Sequence, residues 1–185
     1  MAEKLSNIRE FGLKISKLSG EEIYKCYQCG KCTASCPVAL DMPHKPNQIM
    51  RFIQLGFKEN VLNSPTIWLC ASCITCSARC PKGIDIAKIM DTLRILCLEK
   101  GYKPGVSEVS KFNEIFLNQI NSLGRIHEPL LAMLFNIKSG HFFQDALLGL
   151  KLFKKGKMVI TPNKLKDLGP VKNIFNKSNP IIKND

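Results

Sequence analysis

The chain has 185 residues, 45% of them hydrophobic and 23% charged, a balance that excludes a disordered or low-complexity chain and suits one domain with substantial appendages. Its formal net charge is +12, which raises nucleic acid or an anionic surface as partners. No stretch approaches the roughly 18 consecutive apolar residues of a membrane helix. The Met-Ala-Glu-Lys start also lacks the apolar core of a signal peptide. These features lead us to expect a soluble, cytoplasmic protein without a membrane anchor.

Taken in chain order, Phe11–Ile15 shows a weak apolar alternation that suggests a strand. Ser19-Gly20-Glu21-Glu22 fits a capping box before Ile23 and Tyr24. The first cysteine run follows, as Cys26-x2-Cys29-x2-Cys32-x3-Cys36-Pro37. Pro46-Asn47-Gln48 opens a helix with apolar Ile49, Met50, Phe52 and Ile53, and Gly56 stops it. Ser64-Pro65 reads as an N-cap with proline in the first turn, leading through Ile67 and Trp68 into the second run. That run is Cys70-x2-Cys73-x2-Cys76-x3-Cys80-Pro81. Asp85 then caps a helix reaching about Lys100 and closed by Gly101. Cys97 falls on the apolar stripe of that helix, with Ile86, Ile89, Met90 and Leu93, and is expected to be a buried structural thiol.

Residues 102–185 hold no cysteine and no phosphate-binding loop. Val109, Phe112, Ile115 and Phe116 suit one amphipathic helix, and Glu128–Lys138 and Phe142–Phe153 suggest two more. Met158–Ile160 is a second weak strand candidate. Lys154–Asp185 mixes lysine, asparagine and proline too thinly to build a core alone, and is expected to be an arm that packs on a partner. His44, His127 and His141 stand apart from any second ligand type and are read as surface or core residues.

The two cysteine runs match position for position at an offset of 44 residues, with Ile23 matching Ile67, Tyr24 matching Trp68, and Leu40-Asp41-Met42 matching Ile84-Asp85-Ile86. A duplicated metal-binding unit accounts for this pattern. Nine cysteines without a secretion signal argue against a disulfide framework. Three cysteines at i, i+3 and i+6 on a tight loop place three thiolates around one face of an iron–sulfur cube. Gly30, Ala71, Ser72 and Thr75 keep the loops small where backbone must approach it. A zinc ribbon uses two C-x2-C pairs and has no use for a third cysteine and a Cys-Pro ending in each run. We therefore expect two [4Fe–4S] clusters. In two-cluster ferredoxins the fourth cysteine of each run ligates the other cluster. On that pattern Cys26, Cys29, Cys32 and Cys80 hold one cluster, and Cys70, Cys73, Cys76 and Cys36 the other.

Two clusters, each contributing about −2, lower the net charge to about +8. The rest is concentrated late in the chain, where Lys138–Asp185 carries ten lysines, no arginine and three aspartates. Arginines interleaved with aromatics are missing, so nucleic acid is not an expected partner, and a basic docking surface is.

The duplicated runs with a helical insertion between them resemble the α-helical ferredoxin domain. That domain occurs in iron–sulfur subunits of succinate and fumarate reductases, glycolate oxidase and anaerobic glycerol-3-phosphate dehydrogenase. Cys26-Tyr-Gln-Cys29-Gly-Lys-Cys32-Thr-Ala-Ser-Cys36-Pro37 and Cys70-Ala-Ser-Cys73-Ile-Thr-Cys76-Ser-Ala-Arg-Cys80-Pro81 are similar to the two motifs of the C-subunit family of the methanogen CoB–CoM heterodisulfide reductases. Pro43-His-Lys-Pro-Asn-Gln-Ile-Met50 also resembles that family. The resemblance implies a mainly α fold: an α-helical ferredoxin domain over residues 1–101 and a helical extension with a basic arm for subunit docking over 102–185. It implies a non-catalytic electron-transfer subunit of an oxidoreductase complex in methanogenesis. Such a chain relays electrons from a flavin- and cluster-bearing partner to a catalytic partner that cleaves the heterodisulfide at noncubane clusters. A hydrogenase or formate dehydrogenase module completes the larger complex. The chain has no adjacent Cys-Cys pair and no G-x-G-x-x-G run, which fits neither the catalytic nor the flavin-bearing partner and leaves the relay role. Two other readings stay open at this point. One is an iron–sulfur subunit of a glycolate-oxidase-like or fumarate-reductase-like complex; the other is a zinc-stabilised nucleic-acid-binding module.

Overall fold

The computed structural model describes residues 2–141, 146–156 and 161–183. Every regular element among them is helical. The chain divides into two compact units, Met1–Val106 and Ser107–Asp185.

In the first unit α1 (Ala2–Ser19) leads through a 3₁₀ turn at Ile23–Lys25 to the first cysteine loop and the short helix α2 (Lys31–Ala34). Then come α3 (Pro46–Gln54), α4 (Lys58–Leu62) and α5 (Thr66–Leu69), the last entering the second cysteine loop and α6 (Thr75–Ala78). The long α7 (Ile86–Glu99) closes the unit. α1 packs on both α3 and α7, and α2 packs on α6. The core consists of Phe11 and Ile15 from α1, Ile49, Met50 and Ile53 from α3, and Ile89, Met90 and Leu93 from α7. Gly12 allows the close approach of α1, since a Cβ there would collide with the Tyr24 hydroxyl and lie 3.1 Å from the Ile53 carbonyl oxygen.

Two local expectations are corrected here. Phe11–Ile15 is not a strand but part of α1. Phe11 and Ile15 are one helical turn apart and both buried, whereas Leu13, the middle member of the apparent alternation, is 57% exposed. The capping box at Ser19–Glu22 does not form. Ser19 is the last residue of α1, its hydroxyl donating to the Ile15 carbonyl at 2.7 Å. Glu21 instead reaches the start of α7, where its carboxylate accepts from the Asp85 amide at 3.0 Å.

Other boundaries follow their sequence signals. Pro46 opens α3, and Gly56 adopts a φ of 72° just beyond its end. Asp85 caps α7 by accepting from the Lys88 amide at 3.1 Å, and Gly101 has a φ of 69° past its end. Cys97 is fully buried on α7, with its thiol 3.5 Å from the Leu62 carbonyl oxygen.

The second unit contains α8 (Ser107–Leu123), α9 (Glu128–Ser139), α10 (Ala146–Lys154) and α11 (Gly169–Lys183). α8 packs on α9 and α11. Phe112 lies edge-on to Phe135 at a centroid distance of 5.8 Å, and Gln119 is buried with its side-chain oxygen accepting from the His127 amide at 3.0 Å. His127 in turn caps α9, accepting from the Leu130 amide at 3.2 Å. Within Lys154–Asp185, residues 169–183 form a helix, more order than the composition led us to expect. The strand candidate Met158–Ile160 lies outside the described residues, as does the start of the Phe142–Phe153 segment.

Candidate iron–sulfur site

Each cysteine loop is entered by a single turn ending on the first cysteine. The Cys26 amide donates to the Ile23 carbonyl at 3.2 Å, and the Cys70 amide to the Thr66 carbonyl at 3.1 Å. Both loops then use the left-handed region twice, at matching positions. Gln28 and Ser72 have φ of 62° and 49°, and Gly30 and Ile74 have φ of 76° and 56°. These kinks wrap the loop around a centre, and the short helices α2 and α6 follow at once, carrying Cys32 and Cys76. The Cys36 amide donates to the Thr33 carbonyl and the Cys80 amide to the Ser77 carbonyl, both at 3.2 Å.

Cys36 lies with Cys70, Cys73 and Cys76 around one cavity, whose wall is completed by apolar Val38, Met42, Ile86 and Met90. Cys36 lies near enough to Cys70 for its charge to add to the effect of burial in raising the Cys70 thiol. Burial, and then charge on Cys29, Cys80 and Cys26, raise the Tyr27 hydroxyl, so these three cysteines lie around it. Cys32 senses Cys26 on one side and Cys76 on the other, which puts it at the junction of the two groups. The α2–α6 packing sets this juxtaposition. It carries the end of each run toward the start of the other.

Exposure grades the thiols from outside to inside. Cys29 and Cys73 are exposed, Cys32 is buried, and the remaining five cysteines of the runs are half-buried. Burial pushes the Cys32 thiol up to about 11, and it raises Cys70 and Cys76 in the same direction. The exposed Cys73 moves the opposite way because the Thr75 hydroxyl hydrogen-bonds it. Buried thiols that hold their protons against water release them to a metal, whose positive charge replaces the proton. Four thiolates beside apolar walls are the donor set of an iron–sulfur cube. Among the described residues no three or more His, Cys, Asp or Glu side chains are grouped so as to hold a single metal ion. A zinc ion needs its sulfurs about 2.3 Å from one atom, whereas a cube of four irons spreads its thiolates wider.

Two supporting residues carry no signal in the cysteine spacing. Gln54, the last residue of α3, donates from one amide nitrogen to the Ile23 and Cys26 carbonyls, at 3.1 and 2.8 Å. Arg94 on α7 donates from one guanidinium nitrogen to the matching Ile67 and Cys70 carbonyls, at 3.2 and 3.0 Å. Its other nitrogen bonds the Ser72 hydroxyl at 2.6 Å and pairs with Asp91. A second pair joins each short helix to the following long one. Thr33 donates to Asn47 at 2.6 Å and accepts from its amide at 3.1 Å; Ser77 donates to Asp85 at 2.6 Å and accepts from the Ala87 amide at 3.1 Å. The repeat therefore continues into α3 and α7, but at an offset of 40. Ile49-Met50 and Ile53-Gln54 align with Ile89-Met90 and Leu93-Arg94. Four extra residues before α3 break the register, and that change of offset hides the relation. It also separates Asp41 from Asp85, which match in sequence. Asp85 caps a helix, and Asp41 sits in an exposed turn.

A 4Fe-4S dicluster domain family matches residues 25–85, which contain both runs and all eight cysteines discussed above. The chain is also similar to the C subunit of the H(2):CoB-CoM heterodisulfide,ferredoxin reductase of Methanothermobacter thermautotrophicus (strain Delta H). The identity is 42% over 43 residues, covering 23% of each chain. The same protein of Methanothermobacter marburgensis (strain Marburg) matches with the same identity and coverage. The likeness thus spans under a quarter of the length of these relatives. No helix among the described residues is long and apolar enough to cross a membrane.

Proposed function

We propose that this chain is the electron-relay subunit of a cytoplasmic CoB–CoM heterodisulfide reductase complex. It would stand between a flavin- and cluster-bearing partner and a partner that cleaves the heterodisulfide, and contribute no catalytic residue itself. Cys26, Cys29, Cys32 and Cys80 would hold one [4Fe–4S] cluster, and Cys36, Cys70, Cys73 and Cys76 the other. When bound, each cluster supplies a one-electron carrier. The observation that carries this reading is the grouping of Cys36 with Cys70, Cys73 and Cys76, three thiols from the other run.

The chain's own residues would keep the path between the two clusters short. Cys32 faces Cys76 across the α2–α6 contact, so the two sites approach each other through the protein interior. Cys29 and Cys73 are exposed, so each site also has a side that an outside partner can approach. Gln54 and Arg94 fix the backbone of the first cysteine in each loop and hold the thiols in place through changes of charge. The basic second unit, with α8 through α11, serves as the extension on which the other members of the complex dock. Anaerobic purification from the native source, with iron and sulfide counted, tests the whole reading. The expected result is about eight irons per chain, together with one flavin-bearing partner and one partner with paired cysteines. A colourless chain retaining zinc would overturn it.

A further inference from the structure

The same loop position carries glycine in the first run and isoleucine in the second. Gly30 and Ile74 both lie in the left-handed region, at φ 76°, ψ −3° and φ 56°, ψ 2°. Glycine adopts that conformation without strain; a β-branched residue does so only against a steric penalty. Something must offset the penalty at Ile74, and burial in the core does not, since the residue is 62% exposed. What Ile74 does touch is the cavity formed by Cys36, Cys70, Cys73 and Cys76, which it lines from the solvent side. At Gly30 an added Cβ would meet nothing within 4 Å, so the corresponding position of the first loop is open.

We propose that Ile74 is a hydrophobic cover that shields the Cys36/Cys70/Cys73/Cys76 cluster from water, a cover that the equivalent Gly30 does not supply to the other cluster. This rests on the two-cluster reading above. The cover makes two sites with the same ligand set inequivalent. Reduction adds negative charge to a centre that is already anionic, and nearby water stabilises that charge. Displacing water therefore makes reduction harder and lowers the midpoint potential of the covered cluster. Isoleucine suits the task because its branched side chain is stiff and holds one position over the opening.

The test uses the full chain, reconstituted anaerobically, with Ile74→Gly, Ile74→Asn and Ile74→Leu. Iron and sulfide are counted first, and then both clusters are titrated by electron paramagnetic resonance and followed during exposure to air. Glycine and asparagine tolerate the left-handed backbone, so both variants should keep full cluster content and a thermal midpoint at or above that of the native chain. In both, one of the two midpoint potentials should move in the positive direction, and the corresponding signal should bleach several-fold faster in air. Ile74→Leu, which restores an apolar cover, should return both readouts toward native. If both potentials and bleaching rates stay native in Ile74→Gly at full cluster content, the cover does not exist. A loss of thermal stability with unchanged potentials would make Ile74 a packing residue only. A native chain that binds no iron would overturn the cluster reading itself, and with it this one.

Discussion

The two cysteine repeats share a backbone but differ in the chemistry that holds it. In the first, a neutral amide, Gln54, binds the two carbonyls of the entry turn, and a neutral Thr33–Asn47 pair ties the short helix to α3. In the second, the cationic Arg94 binds the matching carbonyls, and Ser77 pairs with the carboxylate of Asp85. The first loop carries Gly30 where the second carries Ile74. Tyr24 at the first entry is half exposed, its hydroxyl 3.3 Å from the Arg9 carbonyl, while its counterpart Trp68 is buried. The geometry needed to present thiols was kept through the duplication, and the charge, polarity and water access around each site diverged. Those variables tune a cluster without changing its ligands.

The comparison can be broken most severely at the fourth cysteines. Cys36→Ala should remove about half of the bound iron, and the cluster lost should be the one held by Cys70, Cys73 and Cys76. Cys80→Ala should remove the other. Iron and sulfide counts with electron paramagnetic resonance of each variant check this, and loss of the cluster nearest its own run in either variant would refute crossed ligation.

The entry-turn clamps come next. Arg94→Ala leaves two carbonyls and the Ser72 hydroxyl without their charged donor and should cost about 2–3 kcal/mol. Gln54→Ala removes a neutral donor and should cost about 1–2 kcal/mol. Arg94→Gln, which installs the first repeat's chemistry in the second, should recover part of the loss if one amide can span both carbonyls. Denaturant midpoints of the loaded chain give all three values, and equal losses in the two alanine variants would erase the proposed difference.

The smallest effect separates Asp85 from Asn47. Hydrogen bonds from Ser77, and then from the α7 amides, hold the Asp85 carboxyl below its ordinary value of 3.8. A depressed carboxyl stabilises the fold fully above that ordinary value and loses its contribution as pH falls through the lower folded one. Asp85→Asn exchanges charge-assisted hydrogen bonds for neutral ones and should therefore lower the thermal midpoint at pH 7, by an amount corresponding to about 1 kcal/mol, and the gap from the native chain should shrink in strong acid. Asn47→Ala has no carboxyl to titrate, and its deficit should stay constant over the same range.

Much of this arrangement is legible in the sequence because it depends on spacing. Cysteines at i, i+3 and i+6 force a loop, Cys-Pro ends it, and an aspartate before Ile86 announces a helix start. Other features escape because their partners are far apart. Nothing near Glu21 shows that it serves the α7 start, 64 residues away. Phe11 and Ile15 read as alternating, and only the burial of one helical face distinguishes that pattern from a strand. The relation between Gln54 and Arg94 is hidden by the shift in offset from 44 to 40.

The eight cysteines of the two runs and the duplication that made them stand out in the sequence, because coordination chemistry acts through residue type and local spacing. Which cysteines of the two runs lie together depends on how α2 packs against α6, a contact between distant parts of the chain. The same packing decided which thiols are exposed and which backbone carbonyls receive a charge. Gly30 and Ile74, equivalent in the repeat, differ in what they place beside the cysteines, and the water that a side chain excludes depends on what surrounds it.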